Sequence, residues 1–195
     1  FFGLHGASIT QPIRLPFMQM YLVANITAFT AGEPIAHFFT QPFWSYVITL
    51  GGGGATLGLC ILLLRSKSVE LKTLGKLSIG PAIFNINEPI IFGAPIVMNP
   101  ILAIPFVLAP LVMATVAYLA TVSGLVPMMM ARLPFTILSP LASVMSTDWS
   151  IAAGALTLVN FGISYAIYFP FFKIFEKQQL EKELEAENLA KVEIA

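Results

Sequence analysis

Between Lys76 and Arg132 the sequence carries one charge, Glu88, inside the run GPAIFNINEPIIFGAPIVMNPILAIP at 80–105. Its surroundings are apolar enough for lipid. A carboxylate placed there costs about 2.5–3.5 kcal/mol on insertion scales and is therefore usually functional. Asn85, Asn87 and Asn99 add neutral donors and acceptors beside the acid. A carboxylate that accepts a hydroxyl proton, flanked by amides that both give and take hydrogen bonds, suits a hydroxyl-rich ligand. The structural alternative is a carboxylate, and asparagines, that cap broken helix ends by bonding to the backbone. No His, Cys and carboxylate cluster has metal spacing, and no nucleophile sits beside a base in an elbow motif. No metal and no cofactor is expected.

The elements around the acid must be broken ones. Prolines recur at Pro81, Pro89, Pro95, Pro100, Pro105 and Pro110. Each removes a backbone donor and crowds the preceding turn, so Pro81 to Pro100 cannot be one regular helix. Broken backbone at membrane depth is tolerated only where protein buries it or it lines a wet cavity.

The composition places these elements in a membrane. Of 195 residues, 57% are hydrophobic and 10% charged, against about 25% charged in soluble domains. Lys plus Arg equals Asp plus Glu, ten of each, so no net charge points to nucleic acid. Cys60 is the sole cysteine, which excludes a disulfide framework. The chain opens on Phe1 with neither signal peptide nor basic leader, and reads as the C-terminal part of a longer protein.

In chain order, Pro12 and Pro16 are expected to break any long helix near the start, leaving a helix from Met18 to Thr30. Residues 31–42, with Glu33 and His37, read as a loop or interface turn. Phe43–Leu64 is uncharged and, at 1.5 Å per residue, reaches about 33 Å, enough to cross a hydrocarbon core. Its glycines, Gly51–Gly54, are read as a close-packing site in preference to a local break or a sliding surface. No lysine follows them in phosphate-loop spacing. Ile101–Gly124 and Ser150–Phe172 are the other two expected spans. The loop with Arg65, Lys67, Lys72 and Lys76 is cytoplasmic by the positive-inside rule, and so is the tail with Lys173, Lys177 and Lys182. An even number of crossings must separate them. Residues 78–100 are therefore expected to form a re-entrant hairpin with Asn87-Glu88-Pro89 near its tip. Residues 126–147 read as an irregular or short-helical connection, and 173–195 as a charged cytoplasmic tail that forms a short solvated helix from Phe175 onward. The fold class is all-α integral membrane, with residues 1–172 as the transport part.

FNINEPIIFGAPIVMNP followed by IPF closely resembles the signature of the membrane IIC component of sugar phosphotransferase systems, in the lactose, cellobiose and diacetylchitobiose family. LHG at Leu4–Gly6, GGGGATLGL at Gly51–Leu59, LGKLSIGPAIF at Leu74–Phe84 and YFPFFK at Tyr168–Lys173 extend the resemblance over most of the chain. It implies the C-terminal half of a bacterial cell-membrane permease that is homodimeric when full length. Such a permease binds a β-linked disaccharide, moves it inward, and hands it on for phosphorylation at its 6-hydroxyl by a phosphocysteine on a separate IIB partner. Cys60 is then not the donor, and any enzymatic role is shared with that partner. The remaining partners are membrane lipid and the N-terminal half.

The resemblance also assigns residues. An LHG-like histidine and the NEP glutamate approach the sugar in the family, and the matching positions here are His5 and Glu88. Asn85 and Asn87 either pair with sugar hydroxyls or hold the backbone. Phe135, in LPFTILSP, stands where the family commonly has tryptophan. It keeps an aromatic face for stacking but lacks the indole donor. Two other functions fit the same features: a secondary transporter driven by H⁺ or Na⁺, and a non-transporting membrane fragment that only binds partners.

Overall fold

A computed structural model describes residues 6–134 and 136–194; among them every regular element is a helix. Helix α1 (Gly6–Thr30) runs unbroken through Pro12 and Pro16, correcting the expected break. Each proline withholds only its own donor, and in apolar surroundings the remaining ladder groups have no better partners. Asn25 ties α1 to the rest: its amide donates to the His37 carbonyl at 2.6 Å and the Met129 carbonyl at 3.0 Å, and accepts the His37 N–H at 3.1 Å. The His37 ring stacks on Tyr21, with centroids 4.6 Å apart.

Phe43–Leu64 is not one helix. A short α2 (Gln41–Phe43) passes into a π turn at Trp44–Ile48, then a loop, then α3 (Leu57–Leu64). Gly51, Gly52 and Gly54 all have positive φ, so the glycines make a break and not a packing stripe. At Gly54 (φ +80°) an added Cβ would lie 2.2 Å from the Phe106 ring, so the loop turns where a helix passes close by.

Helix α4 (Val69–Ile83) follows, so Lys72 and Lys76 lie on a helix and not in the expected loop. The Ser68 side chain caps it by accepting the Leu71 N–H at 3.1 Å, which satisfies an orphan donor of the first turn. A turn at 84–87 leads to α5 (Glu88–Gly93), with Pro89 in its first turn, where a missing N–H costs nothing. A 3₁₀ turn (Ile96–Met98) and Asn99, whose side chain accepts the Ile101 N–H at 3.0 Å, then start α6 (Pro100–Val122). Residues 127–134 run without helix before α7 (Ser139–Ser146).

The last helix, α8 (Ile151–Ile194), is continuous, so the tail is helical as expected, but its helix extends that of the preceding stretch. Beyond Phe172 the ion pairs Lys173–Glu176 (2.8 Å) and Glu187–Lys191 (2.7 Å) support it. So does docking on α4: the Ser68 hydroxyl donates to Glu183 at 2.7 Å, and the Gln179 amide donates to Glu70. Helices α6 and α8 are long and apolar enough to cross a membrane, the candidate stretches being Pro100–Val122 and Ile151–Leu189.

Two apolar cores hold these parts. One joins Leu59 and Leu63 of α3, Ile90 of α5, Leu102 and Met113 of α6, and Tyr168 and Phe172 of α8. The other packs Val47 and Ile48 of the π turn against Ala117, Met129, Ala142 and Ala153.

Candidate functional site

The site is assembled around the broken backbone of 44–56. Carbonyls and amides released from a helix ladder must find other partners when buried, because an unpaired one costs roughly as much as a lost hydrogen bond. Two sources supply them here.

The first is a polar face of α8. Thr157, Asn160, Ser164 and Tyr168 follow one another at helical spacing. They donate to the carbonyls of Tyr46 (3.4 Å), Val47 (2.9 Å), Ala55 (2.6 Å) and Gly54 (2.7 Å) in turn. All four are buried. Within the loop itself, the Thr56 hydroxyl closes on the Gly51 carbonyl at 2.6 Å.

The second is the turn between α4 and α5. Asn85 sits at φ +62°, a left-handed conformation that asparagine tolerates better than most residues. Its Oδ1 accepts the Gly51 N–H at 2.8 Å, while its Nδ2 donates to the Ser45 carbonyl at 3.2 Å and the Ser139 hydroxyl at 3.1 Å. Asn87 is buried, and its Nδ2 donates to the Gly53 carbonyl. Gly52 (φ +96°) leaves the room for this approach: a Cβ there would stand 2.5 Å from Asn87 Cγ. Both asparagines thus serve the backbone, one of the two roles open to them from sequence.

Glu88 is the first residue of α5. Its side chain is exposed and forms no hydrogen bond or ion pair with the described residues. It is therefore not spent on capping the broken ends, the structural role that sequence left open. The residues just before it in the chain, Phe84 to Ile86, line a cavity of about 550 Å³. Its lining includes Gln41, Tyr46, Phe84, Asn85, Ile86 and Arg132, and continues through Leu133 and Pro134. Glu88 itself does not line it. Tyr46 braces one wall, its hydroxyl donating to the Leu133 carbonyl at 2.9 Å and accepting the Leu133 N–H at 2.8 Å.

Of the sequence-predicted residues, the structure brings Asn85 and Asn87 together on the glycine loop and leaves Glu88 open on the same turn. His5 and Phe135 lie outside the described residues. Gln41 and Arg132, which line the cavity, were not singled out from the sequence. No group of three or more His, Cys, Asp or Glu side chains with metal-binding geometry occurs among the described residues.

The sequence pattern of the family described as "Phosphotransferase system, EIIC" matches residues 1–110. The lichenan permease IIC component of Bacillus subtilis (strain 168) is 43% identical over 188 residues, covering 95% of this chain and 41% of that protein. The PTS system lactose-specific EIICB component of Lacticaseibacillus casei is 35% identical over 191 residues, covering 97% and 33%. Among solved structures, the transporter ChbC, the IIC component from the N,N'-diacetylchitobiose-specific phosphotransferase system, superposes with a TM-score of 0.89 at 40% identity. That match covers 93% of this chain and 42% of the other. The chain thus spans about two-fifths or less of the length of these relatives.

Proposed function

The chain belongs to the EIIC family of the phosphotransferase system, and on that footing we propose that it forms the sugar-binding and translocating part of a bacterial cell-membrane permease. The sugar is a β-linked disaccharide of the cellobiose, diacetylchitobiose or lactose type. The names of the relatives, which refer to lichenan, lactose and N,N'-diacetylchitobiose, support that class.

The observation that carries the reading is the 85–88 turn. Its asparagines brace a broken loop, Asn85 also lines a cavity, and one carboxylate on the same turn, Glu88, is left exposed and unpaired among the described residues. A rigid frame around an uncommitted acid is what orienting a sugar hydroxyl needs. In the proposed step the sugar's 6-hydroxyl attacks phosphorus on a phosphocysteine of a IIB partner. The S–P bond breaks, the thiolate leaves, and the hydroxyl proton passes to Glu88. His5 and Phe135 are assigned to the same site, as a second polar contact and a stacking face. The lactose relative, whose name couples a B to the C component, supports a IIB partner.

Contacts between α4 and α8 support a membrane arrangement. The basic start of α4 touches the tail of α8 through Ser68–Glu183 and Glu70–Gln179, which supports placing both on the cytoplasmic side. The stretch 78–100 then enters and returns as a re-entrant hairpin with the NEP turn near its tip, between the spans of α6 and of α8 up to Phe172. Inward transport is a rigid movement of this hairpin-bearing unit. Lipid covers exposed apolar residues of α6 such as Val107 and Leu111. The N-terminal half completes the permease, which is a homodimer.

Glu88→Gln tests the reading in the full-length permease. The change is nearly isosteric and removes the charge. Sugar affinity is expected to fall by about 10- to 150-fold through loss of a charge-assisted bond, and donor-dependent phosphorylation by a further 10²–10⁴-fold or so through loss of the base. Normal affinity together with normal phosphorylation overturns the assignment. His5→Ala should weaken both steps without loss of membrane insertion. Phe135→Trp should shift preference among disaccharides.

A further inference from the structure

We infer that Gln41 and Arg132 form a subsite for the second ring of the disaccharide, the ring that is not phosphorylated; this rests on the sugar-binding reading above. A ligand in the cavity can use only those polar groups that are still free to bond.

Most are not. Asn85 has its acceptor on the Gly51 N–H and its two donors on Ser45 and Ser139. The Tyr46 hydroxyl donates and accepts once each, both with Leu133. Recruiting either residue to a ligand would take a partner from the groups it already bonds.

Gln41 and Arg132 differ. Gln41 Oε1 is buried with no hydrogen-bond partner among the described residues, an arrangement that needs an explanation in a native protein. An amide that makes no bond where it stands can turn toward the cavity it lines without losing one. Its backbone cannot drift, because Pro42 and Phe43 behind it are buried. Arg132 is exposed at the cavity and forms no hydrogen bond or ion pair with the described residues. A guanidinium there presents up to five donors in a fixed plane. Between the two, Phe84, Ile86 and Pro134 give apolar wall. One amide, one planar donor array and an apolar surface match a pyranose, which has a hydroxyl rim and C–H faces. The volume lies within the range of small-molecule sites, about 300–1,000 Å³.

The placement decides which ring. Asn85 and Ile86 line the cavity, whereas Glu88, on the same turn, does not. A ring presented to Glu88 is therefore not the ring these walls hold, and the ring inside the cavity is the other one. Gln41 and Arg132 accordingly distinguish disaccharides from one another and from single sugars, and take no part in phosphoryl transfer.

The test uses the purified full-length permease, with titration of cellobiose, diacetylchitobiose and lactose, and of methyl β-glucoside as a one-ring probe. Arg132→Gln and Gln41→Leu are each expected to weaken the best disaccharide by about 10-fold or more, to change the order of preference among the three, and to leave the one-ring probe unchanged. Arg132→Lys should recover part of the loss, since Arg132 is exposed and the lysine keeps charge without the fork. Unchanged disaccharide affinity in both variants overturns the subsite. Equal loss for disaccharide and one-ring probe also overturns it, by placing these residues at the phosphorylated ring. A wild-type permease that binds none of the four sugars would instead reject the sugar-binding reading, and the subsite with it.

Discussion

The Tyr168 hydroxyl donates to the Gly54 carbonyl at 2.7 Å, so a side chain late in the sequence closes a backbone group in the middle of the glycine break. Both lie at the heart of the larger core, and Tyr168 is fully buried. The bond is one rung of the α8 ladder that lets the loop exist among apolar neighbours.

Tyr168→Phe keeps the ring and leaves the Gly54 carbonyl without its donor. Thermal unfolding of the permease in detergent should show a loss of about 1–3 kcal/mol, the desolvation penalty of an unpaired buried group. Tyr165→Phe is the control, since Tyr165 is half-buried and no hydrogen bond of its hydroxyl to the described residues is seen. Equal effects in the two variants would contradict a specific role for the Tyr168 bond.

Gly52→Ala should be among the most damaging single-methyl additions in the chain. It forces an L side chain into φ +96° and drives its Cβ to 2.5 Å from Asn87 Cγ. Both penalties fall on the contact that sets the 85–88 turn. The expected result is poor yield of monodisperse protein, with sugar affinity lost in whatever fraction survives. Gly162→Ala, on α8 with open space around it, should be tolerated.

The tail clamp should respond to acid. Burial raises the Glu176 pKa, but hydrogen bonds from Lys173, the Lys67 N–H and Ser66, with the Lys173 charge, outweigh it and hold the carboxyl below its ordinary value. The Ser68 hydroxyl and then the Glu70 N–H lower that of Glu183. Both residues lie beyond Phe172, in the charged part of α8. A carboxyl with a lowered pKa in the folded state stabilises it fully above the unfolded value and loses that contribution as pH falls through the folded one. Hydrogen-exchange protection at the start of α4, around Lys67 to Leu71, taken relative to the intrinsic rate at each pH, should thus be high at neutral pH and fall below the ordinary carboxylate range. Glu176→Gln with Glu183→Gln should remove most of that pH dependence; an undiminished acid response in the double variant would locate it elsewhere.

Topology can be read by labelling single cysteines in a Cys60→Ser background. Lys72 and Gln178 are exposed and should label from the cytoplasm, whereas Trp149, exposed between α7 and α8, should label from outside. Labelling of Lys72 and Gln178 from opposite sides would rule out the re-entrant assignment of 78–100.

Much of this protein could be read from residue types alone. The run of prolines from Pro81 to Pro110 forbids one helix, and the structure divides the stretch into α4, α5, a 3₁₀ turn and α6. The apolar lengths after Pro100 and Ser150 specify long helices, because apolar composition and length are local properties. The FNINEP run marked the family, to which the relatives and the solved structure also point. Tertiary structure alone decided the rest. Gly51–Gly54 could pack or break, and breaking is possible only because Asn85, Asn87 and the α8 ladder stand ready to satisfy the freed groups. The roles of Asn85 and Asn87 were likewise undecided, since an amide bonds equally well to a sugar or to a backbone. Pro12 and Pro16 were expected to break a helix that in fact continues, and the tail helix, expected to be short, runs on from α8 with Ser68 and Glu70 bonded to it. In each case the sequence determined which bonds a residue could make, and partners up to 115 positions away determined which one it made.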